Sequence, residues 1–171
     1  MIFIYNCYGG THTSTLASEI HLKRLPVDRL PTKDEILGAK YFNQLNYKDM
    51  GKFFYRGTDD EGNKVFTLGR GMSKALLPCM VNLLNMMHDE YGVREKFILS
   101  NLSPTVPPAM TMGGFFSRAL GINFIGVPLL VSGTGQAYWE IVDIVKRTQE
   151  KAKGFNEGVL VMNNEDKQFR L

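Results

Sequence analysis

The chain opens on a continuous apolar run, Ile2-Phe3-Ile4-Tyr5. It is too short for a helix and rich in β-formers, so it predicts a buried strand over Met1 to Asn6. Gly9 and Gly10 interrupt it. Leu16, Ile20 and Leu25 then recur at helical spacing behind Thr13 and Ser14, both helix-capping residue types, and Pro26 closes the segment. Thr32 followed by Glu35 has capping-box spacing and predicts a second helix ending before Asn46. Phe53, Tyr55, Val65 and Phe66 flank the turn residues Asp59 to Asn63, which predicts a β-hairpin at about residues 52–69. From Ser73 to Tyr91 the apolar positions Leu76, Leu77, Met80, Val81, Leu83, Leu84, Met86 and Met87 cover more than one helical face. Such a helix is central or forms an oligomer seam. Pro78 marks its kink or its true first turn, and Gly92 its end.

Lys96 to Ser100 reads as a short strand, followed by a polar, proline-containing loop from Asn101 to Pro108. A short helix is predicted over Phe115 to Leu120. Phe124 to Val131 reads as a further strand, bent or at an edge because of Gly126 and Pro128. Ser132-Gly133-Thr134-Gly135 then reads as a turn. Tyr138, Ile141, Val142 and Val145 predict an amphipathic helix over Gln136 to Lys153. Val159 to Met162 is the last strand, with Asn163 to Leu171 a tail or a returning strand. Strands alternating with helices predict an α/β fold: a three-layer, largely parallel, Rossmann-like or P-loop-like sheet with the hairpin as an insertion. The 171 residues suit a single domain.

Composition narrows the function classes. Hydrophobic residues at 44% and charged residues at 22% are those of a globular chain and argue against disorder. The formal charge of +3 is too small to indicate nucleic acid. Two cysteines, Cys7 and Cys79, do not make a disulfide framework. No apolar run approaches the ~18 residues of a membrane span, and the apolar start is too short for a signal peptide. A cytoplasmic protein with no membrane partner is the expectation. His12, His21 and His88 lack zinc-motif spacing, so no metal site is expected. The cofactor is not legible.

In open α/β sheets ligands bind beyond the carboxyl ends of the strands. Four predicted strand ends carry glycine or small polar residues: Cys7 to Ser14, Gly69 to Ser73, Ser100 to Ser103 and Ser132 to Gly135. Each alone also suits a plain turn with a helix cap. The first is the richest. A helix start offers unpaired amides and a partial positive charge. Gly9 and Gly10 let the backbone approach a phosphate, while Thr11, Thr13 and Ser14 supply hydroxyls. Ser132 and Thr134 are further candidate ligand contacts. Cys7, His12 and Arg70 are the candidates for catalytic work: a nucleophilic sulfur, a proton carrier and a cation.

The stretch Gly9-Gly10-Thr11-His12-Thr13-Ser14-Thr15 resembles the Walker A of the ParA/MinD-type P-loop ATPases. His12 stands in place of the third glycine and Thr13 in place of the lysine, while Ser14 matches the magnesium-binding hydroxyl. Cys7 to Ser14 also resembles the Cys-x-Gly-Asn-x-Cys-Arg-Ser loop of low-molecular-weight tyrosine phosphatases. Cys7, Gly9 and Ser14 match, with His12 replacing the second cysteine and Thr13 the arginine. Over nearly its whole length the chain resembles a family of uncharacterised proteins from spore-forming bacteria. The resemblance lies in Tyr5 to Ser14, in Leu25 to Thr32 and in Leu68-Gly69-Arg70-Gly71. It implies a bacterial protein and no particular activity.

The expected function is binding of a phosphate anion, carried by a nucleotide or phosphorylated small molecule, at the first strand-loop-helix. The alternatives are a Cys7-dependent phosphoryl-transfer enzyme and a non-catalytic homo-oligomeric interaction protein.

Overall fold

A computed structural model describes residues 1–165. Five strands form one mixed sheet in the order β2-β3-β1-β4-β5, with β1 Ile2–Cys7, β2 Phe53–Thr58, β3 Lys64–Gly69, β4 Phe97–Asn101 and β5 Val159–Met162. β1 pairs in parallel with both β3 and β4, and β4 with β5. Only β2 runs antiparallel, against β3. The α/β fold and the mostly parallel sheet are therefore as expected. The hairpin is not a detached insertion, because β3 is the direct neighbour of β1.

Alternation along β1 sorts the two faces. Phe3, Tyr5 and Cys7 face the main core with Leu16 and Ile20 of α1 (Thr13–His21), Ile36 of α2 (Lys33–Gly38) and Tyr138, Ile141 and Val145 of α5 (Asn123–Lys153). Ile4 faces the other way, with Leu68 and Leu99, beneath Leu76, Leu77 and Met80 of α3 (Leu76–Tyr91). That second layer is thin, and no residue of α3 is fully buried. The apolar excess on this helix points outward, through Leu83, Met86 and Met87. Pro78 lies in its first turn, where a missing amide costs nothing, and Gly92 closes it at φ 65°.

Local chemistry explains the well-placed elements. Thr32 Oγ1 accepts from the Glu35 amide at 3.3 Å and Glu35 returns the bond to the Thr32 amide at 2.7 Å, so the capping box is complete. Asp59 Oδ1 takes the amides of Glu61 and Asn63 and shapes the hairpin turn.

One predicted region is corrected. Phe124 to Val131 is not a strand and Ser132 to Gly135 is not a turn, because both lie inside the 31-residue α5. α4 (Pro108–Gly114) packs along this part of α5 and continues through a wider π turn, Phe115–Ala119. The glycines that resemble breakers are contact points. A Cβ on Gly133 would meet the Met110 amide at 2.7 Å, and one on Gly126 would meet Ser117 at 2.6 Å. Of the predicted tail or returning strand, residues 166–171 lie outside the described residues.

Two buried polar chains tie α1 to the hairpin. His21 sits between the Tyr5 hydroxyl, 2.7 Å from Nδ1, and Asp59 Oδ2, 3.0 Å from Nε2. The neutral tautomer carrying its proton on Nε2 satisfies both, and burial lowers the His21 pKa in keeping with it. Glu19 pairs with the buried Arg56 at 2.8 Å, and the guanidinium lies 5.2 Å from the centre of the Tyr41 ring. Glu19→Ala leaves that guanidinium buried and unpaired, and is expected to cost roughly 3–5 kcal/mol in urea unfolding. Met87, 37% exposed, sets the opposite expectation. Met87→Glu should leave helical circular dichroism and the urea midpoint unchanged, with a shift in either placing Met87 in a buried contact.

Candidate functional site

Three of the four predicted strand-end loops meet at the carboxyl edge of the sheet, after the adjacent strands β3, β1 and β4. The amides of Arg70 and Gly71 bond to the carbonyls of Cys7 and Tyr8, and the Leu102 amide bonds to the Asn6 carbonyl. The approach of the first two loops is extreme. Gly10 has φ 70°, and a Cβ there would lie 2.6 Å from the Gly69 amide nitrogen. A Cβ on Gly69 would lie 2.8 Å from the Gly9 carbonyl oxygen. These glycines let two backbones touch.

The loop from β1 to α1 curls around sulfur. Cys7 Sγ accepts the Gly10 amide at 3.2 Å and lies 3.1 Å from Ser14 Oγ. The residue is only 3% exposed, so the sulfur forms the floor of the loop. α1 begins without a side-chain cap: His12 occupies the N-cap position and its carbonyl accepts the Leu16 amide at 2.9 Å, but its side chain makes no bond to the helix. Among the described residues, the amides of Thr13, Ser14 and Thr15 have no acceptor.

The remaining predicted contacts are placed differently from one another. Gly9 is partly exposed and a Cβ there would make only an ordinary 3.7 Å contact with Thr11. The Thr11 hydroxyl donates to the Tyr41 carbonyl and accepts from the amides of Gln44 and Leu45, so it fastens the 41–45 turn instead of facing a ligand. Thr13 Oγ1 reaches the Leu102 carbonyl at 3.4 Å. Ser132 and Thr134 do not belong to this edge. Both are in α5, where the Thr134 hydroxyl donates to the Leu130 carbonyl.

His12 lies 3.3 Å from Asn43 Oδ1 through Nε2 and against Gly114. Burial, and to a lesser extent the Arg118 charge, lowers its pKa to about 4, against the opposing Asn43 hydrogen bond. At neutral pH it is uncharged, so it supplies no positive charge to an anion.

Arg70 extends from the end of β3 past β1 to the end of β4. There its guanidinium donates to Ser103 Oγ at 3.0 Å and Asn101 Oδ1 at 3.4 Å. Among the described residues its Nε is buried without a partner. Sequence reasoning singled out Arg70 but missed Asn101 and Ser103 as its anchors, because only the strand order brings β4 within its reach. Beside Arg70 opens a cleft of about 500 Å³, lined also by Ser73, Lys74, Leu77, Asn82 and Asn163. The segments Cys7–Ser14, Gly69–Ala75 and Asn101–Pro108 contain no Asp or Glu, while Arg70 and Lys74 are cationic. Among the described residues no cluster of His, Cys, Asp and Glu is suited to a metal.

Residues 2–150 match the family described as "Protein of unknown function (DUF3189)". The chain belongs to that family. No curated protein and no solved structure matches it.

Two outcomes follow. Gly10→Ala is a folding lesion. The strained left-handed backbone and the overlap with Gly69 together should cost about 3 kcal/mol in denaturant unfolding. His12 has a folded pKa below its unfolded value of 6.5, so the unfolded chain binds the proton more tightly. The His12 contribution to stability is fully present above pH 6.5 and falls away toward pH 4. His12→Gln should flatten the pH dependence of unfolding over that interval, and an unchanged slope would refute the assignment.

Proposed function

We propose that the β1–α1 loop binds a phosphate group carried by a nucleotide or phosphorylated small molecule. The observation that carries this reading is the start of α1, where three successive amides have no acceptor among the described residues and no side chain caps the helix. A phosphate oxygen would satisfy those amides and meet the positive end of the helix dipole. Arg70 lies across the same edge with a buried Nε that has no partner among the described residues, and carboxylates that would repel an anion are missing from the three converging segments. The loop also keeps the Gly-Gly and Ser positions of the Walker A that it resembles, without the lysine. That departure favours binding over ATP hydrolysis.

Cys7 motivates a second reading, phosphoryl transfer through sulfur. The spacing of Cys7 and Ser14 is that of the low-molecular-weight tyrosine phosphatase loop, and the two side chains touch. In such a step Sγ attacks phosphorus, the phosphorus–oxygen bond breaks and the departing oxygen takes a proton. Water then releases phosphate from sulfur. The step needs a proton donor. His12 is neutral at pH 7 and the neighbouring segments contain no carboxylic acid, so binding remains the preferred reading.

Gly9 is the position for the test, because a Cβ there meets no obstruction. Gly9→Val should fold normally and weaken binding of inorganic phosphate and nucleoside phosphates by tenfold or more in calorimetric titration. Equal affinity in the variant would remove the loop from the site. Cys7→Ser should retain that binding. In a Cys79→Ser background, phosphate should slow alkylation of Cys7. Cys7 that reacts only after denaturation, together with no turnover of p-nitrophenyl phosphate, would eliminate the transfer reading.

A further inference from the structure

We propose that the tip of the α4–α5 hairpin docks onto an anionic lipid surface. Between Lys96 and Glu140 the only charged side chain is Arg118. Where the two helices join, that uncharged stretch turns its apolar side chains outward. Phe124 is 81% exposed, Phe115 55% and Leu120 51%, with Met112 and Ile125 beside them also exposed. A fold with an ordinary charged surface has no reason to expose five large apolar side chains around one helix–helix junction unless something covers them.

The tip cannot fold these residues away. α5 is 31 residues long, about 46 Å at 1.5 Å per residue. A six-residue strand such as β1 spans only about 20 Å. Much of the helix therefore lacks a sheet to lie on, and its N-terminal part packs against α4. That packing is backbone to backbone at Gly113, Gly126 and Gly133, where any Cβ would come within 3 Å of the opposing helix. With the two helices already in contact, no space remains between them for Phe124 or Leu120.

The one charge is turned away from the tip. Arg118 donates to the carbonyls of Asn43, Gln44 and Leu45 at 2.9–3.1 Å. The Asn43 side chain donates to Ser117 Oγ at 2.6 Å. These bonds hold residues 43–45 against the base of the tip, and the 40–52 loop that contains them carries Lys40, Lys48, Lys52 and the exposed Tyr47 against a single acid, Asp49, which pairs with Lys52. An apolar wedge with a basic, tyrosine-bearing collar is the arrangement that inserts at a lipid headgroup boundary and pairs with anionic lipid. A second copy of the chain fits less well. A two-fold contact would set each collar against itself and bring like charges together. The expectation of no membrane partner rested on the lack of a spanning run. Among the described residues no helix is long and apolar enough to cross a membrane, so the docking is peripheral.

The test is co-sedimentation of the whole protein with vesicles of phosphatidylcholine, with and without an equal share of phosphatidylglycerol. Binding to the phosphatidylglycerol vesicles and little binding to pure phosphatidylcholine is expected. Phe124→Ser combined with Leu120→Ser should lower that binding about tenfold or more while leaving circular dichroism unchanged. Lys40→Glu with Lys48→Glu should lower it by roughly tenfold. With Trp139→Phe as background, Phe124→Trp should shift its emission to the blue on anionic vesicles only. Lack of vesicle binding, or binding that survives the double serine substitution, overturns the proposal. So does a wild-type dimer that the serine substitutions dissociate while neither form binds vesicles, which would assign the tip to a second copy.

Discussion

The contact between the backbones at Gly10 and Gly69 sets the geometry of the carboxyl edge. β1 and β3 are parallel neighbours, so the loops leaving them must share one small volume. With glycine at both positions the loops lie in contact and the Arg70 and Gly71 amides reach the Cys7 and Tyr8 carbonyls. Any side chain at either position would force them apart. The curl around the Cys7 sulfur, the unpaired first amides of α1 and the reach of Arg70 toward β4 all follow from that closeness. It also separates two roles that glycine pairs combine in sequence. Gly10 is needed for the fold, while Gly9, partly exposed and unobstructed, is the one free to meet a ligand.

Polarity beneath the sheet edge is unusually costly unless it is paired, and the structure handles it unevenly. Thr11, Ser18 and Thr15 spend their hydroxyls on backbone carbonyls. His21 and Glu19 are matched with Asp59 and Arg56 from the hairpin. Among the described residues the groups left unmatched include the first amides of α1 and the Nε of Arg70 on loops of the carboxyl edge, and within the strands Asn6 Oδ1, Thr67 Oγ1 and two guanidinium nitrogens of Arg56. Buried polar groups without partners cost free energy, and those on the carboxyl-edge loops are the ones that an anion bound there would satisfy.

The two ends of the uncharged stretch serve different purposes. Toward the sheet, Leu130, Ala137 and Tyr138 enter the main core. Toward the tip, the same composition has no core to enter. Small residues, which reduce the apolar area each helix needs to bury, bring α4 and α5 so close that their larger neighbours are turned outward. The apolar surface of the hairpin is a consequence of its own tight packing.

Elements fixed by short-range chemistry were legible in the sequence. Ile2 to Tyr5 had to be a buried strand, Thr32 and Glu35 cap α2 through their own side chains, Asp59 organises the hairpin turn, and Gly92 ends α3. The glycine- and hydroxyl-rich loop after β1 was legible for the same reason. Tertiary structure decided the rest. Gly126 and Gly133 carry the local signature of strand and turn. Only the presence of α4, which needs their missing side chains, makes that region a helix, and this removes Ser132 and Thr134 from the edge. His12 has the sequence of a cation at a helix start, but burial leaves it neutral. Arg70 could be picked out as a charge, while its partners Asn101 and Ser103, 31 and 33 residues away, became neighbours through the order β3-β1-β4. Periodicity and capping act over a few residues and can be read along the chain. Close packing, desolvation and strand order depend on residues distant in sequence and exist only once the chain has folded.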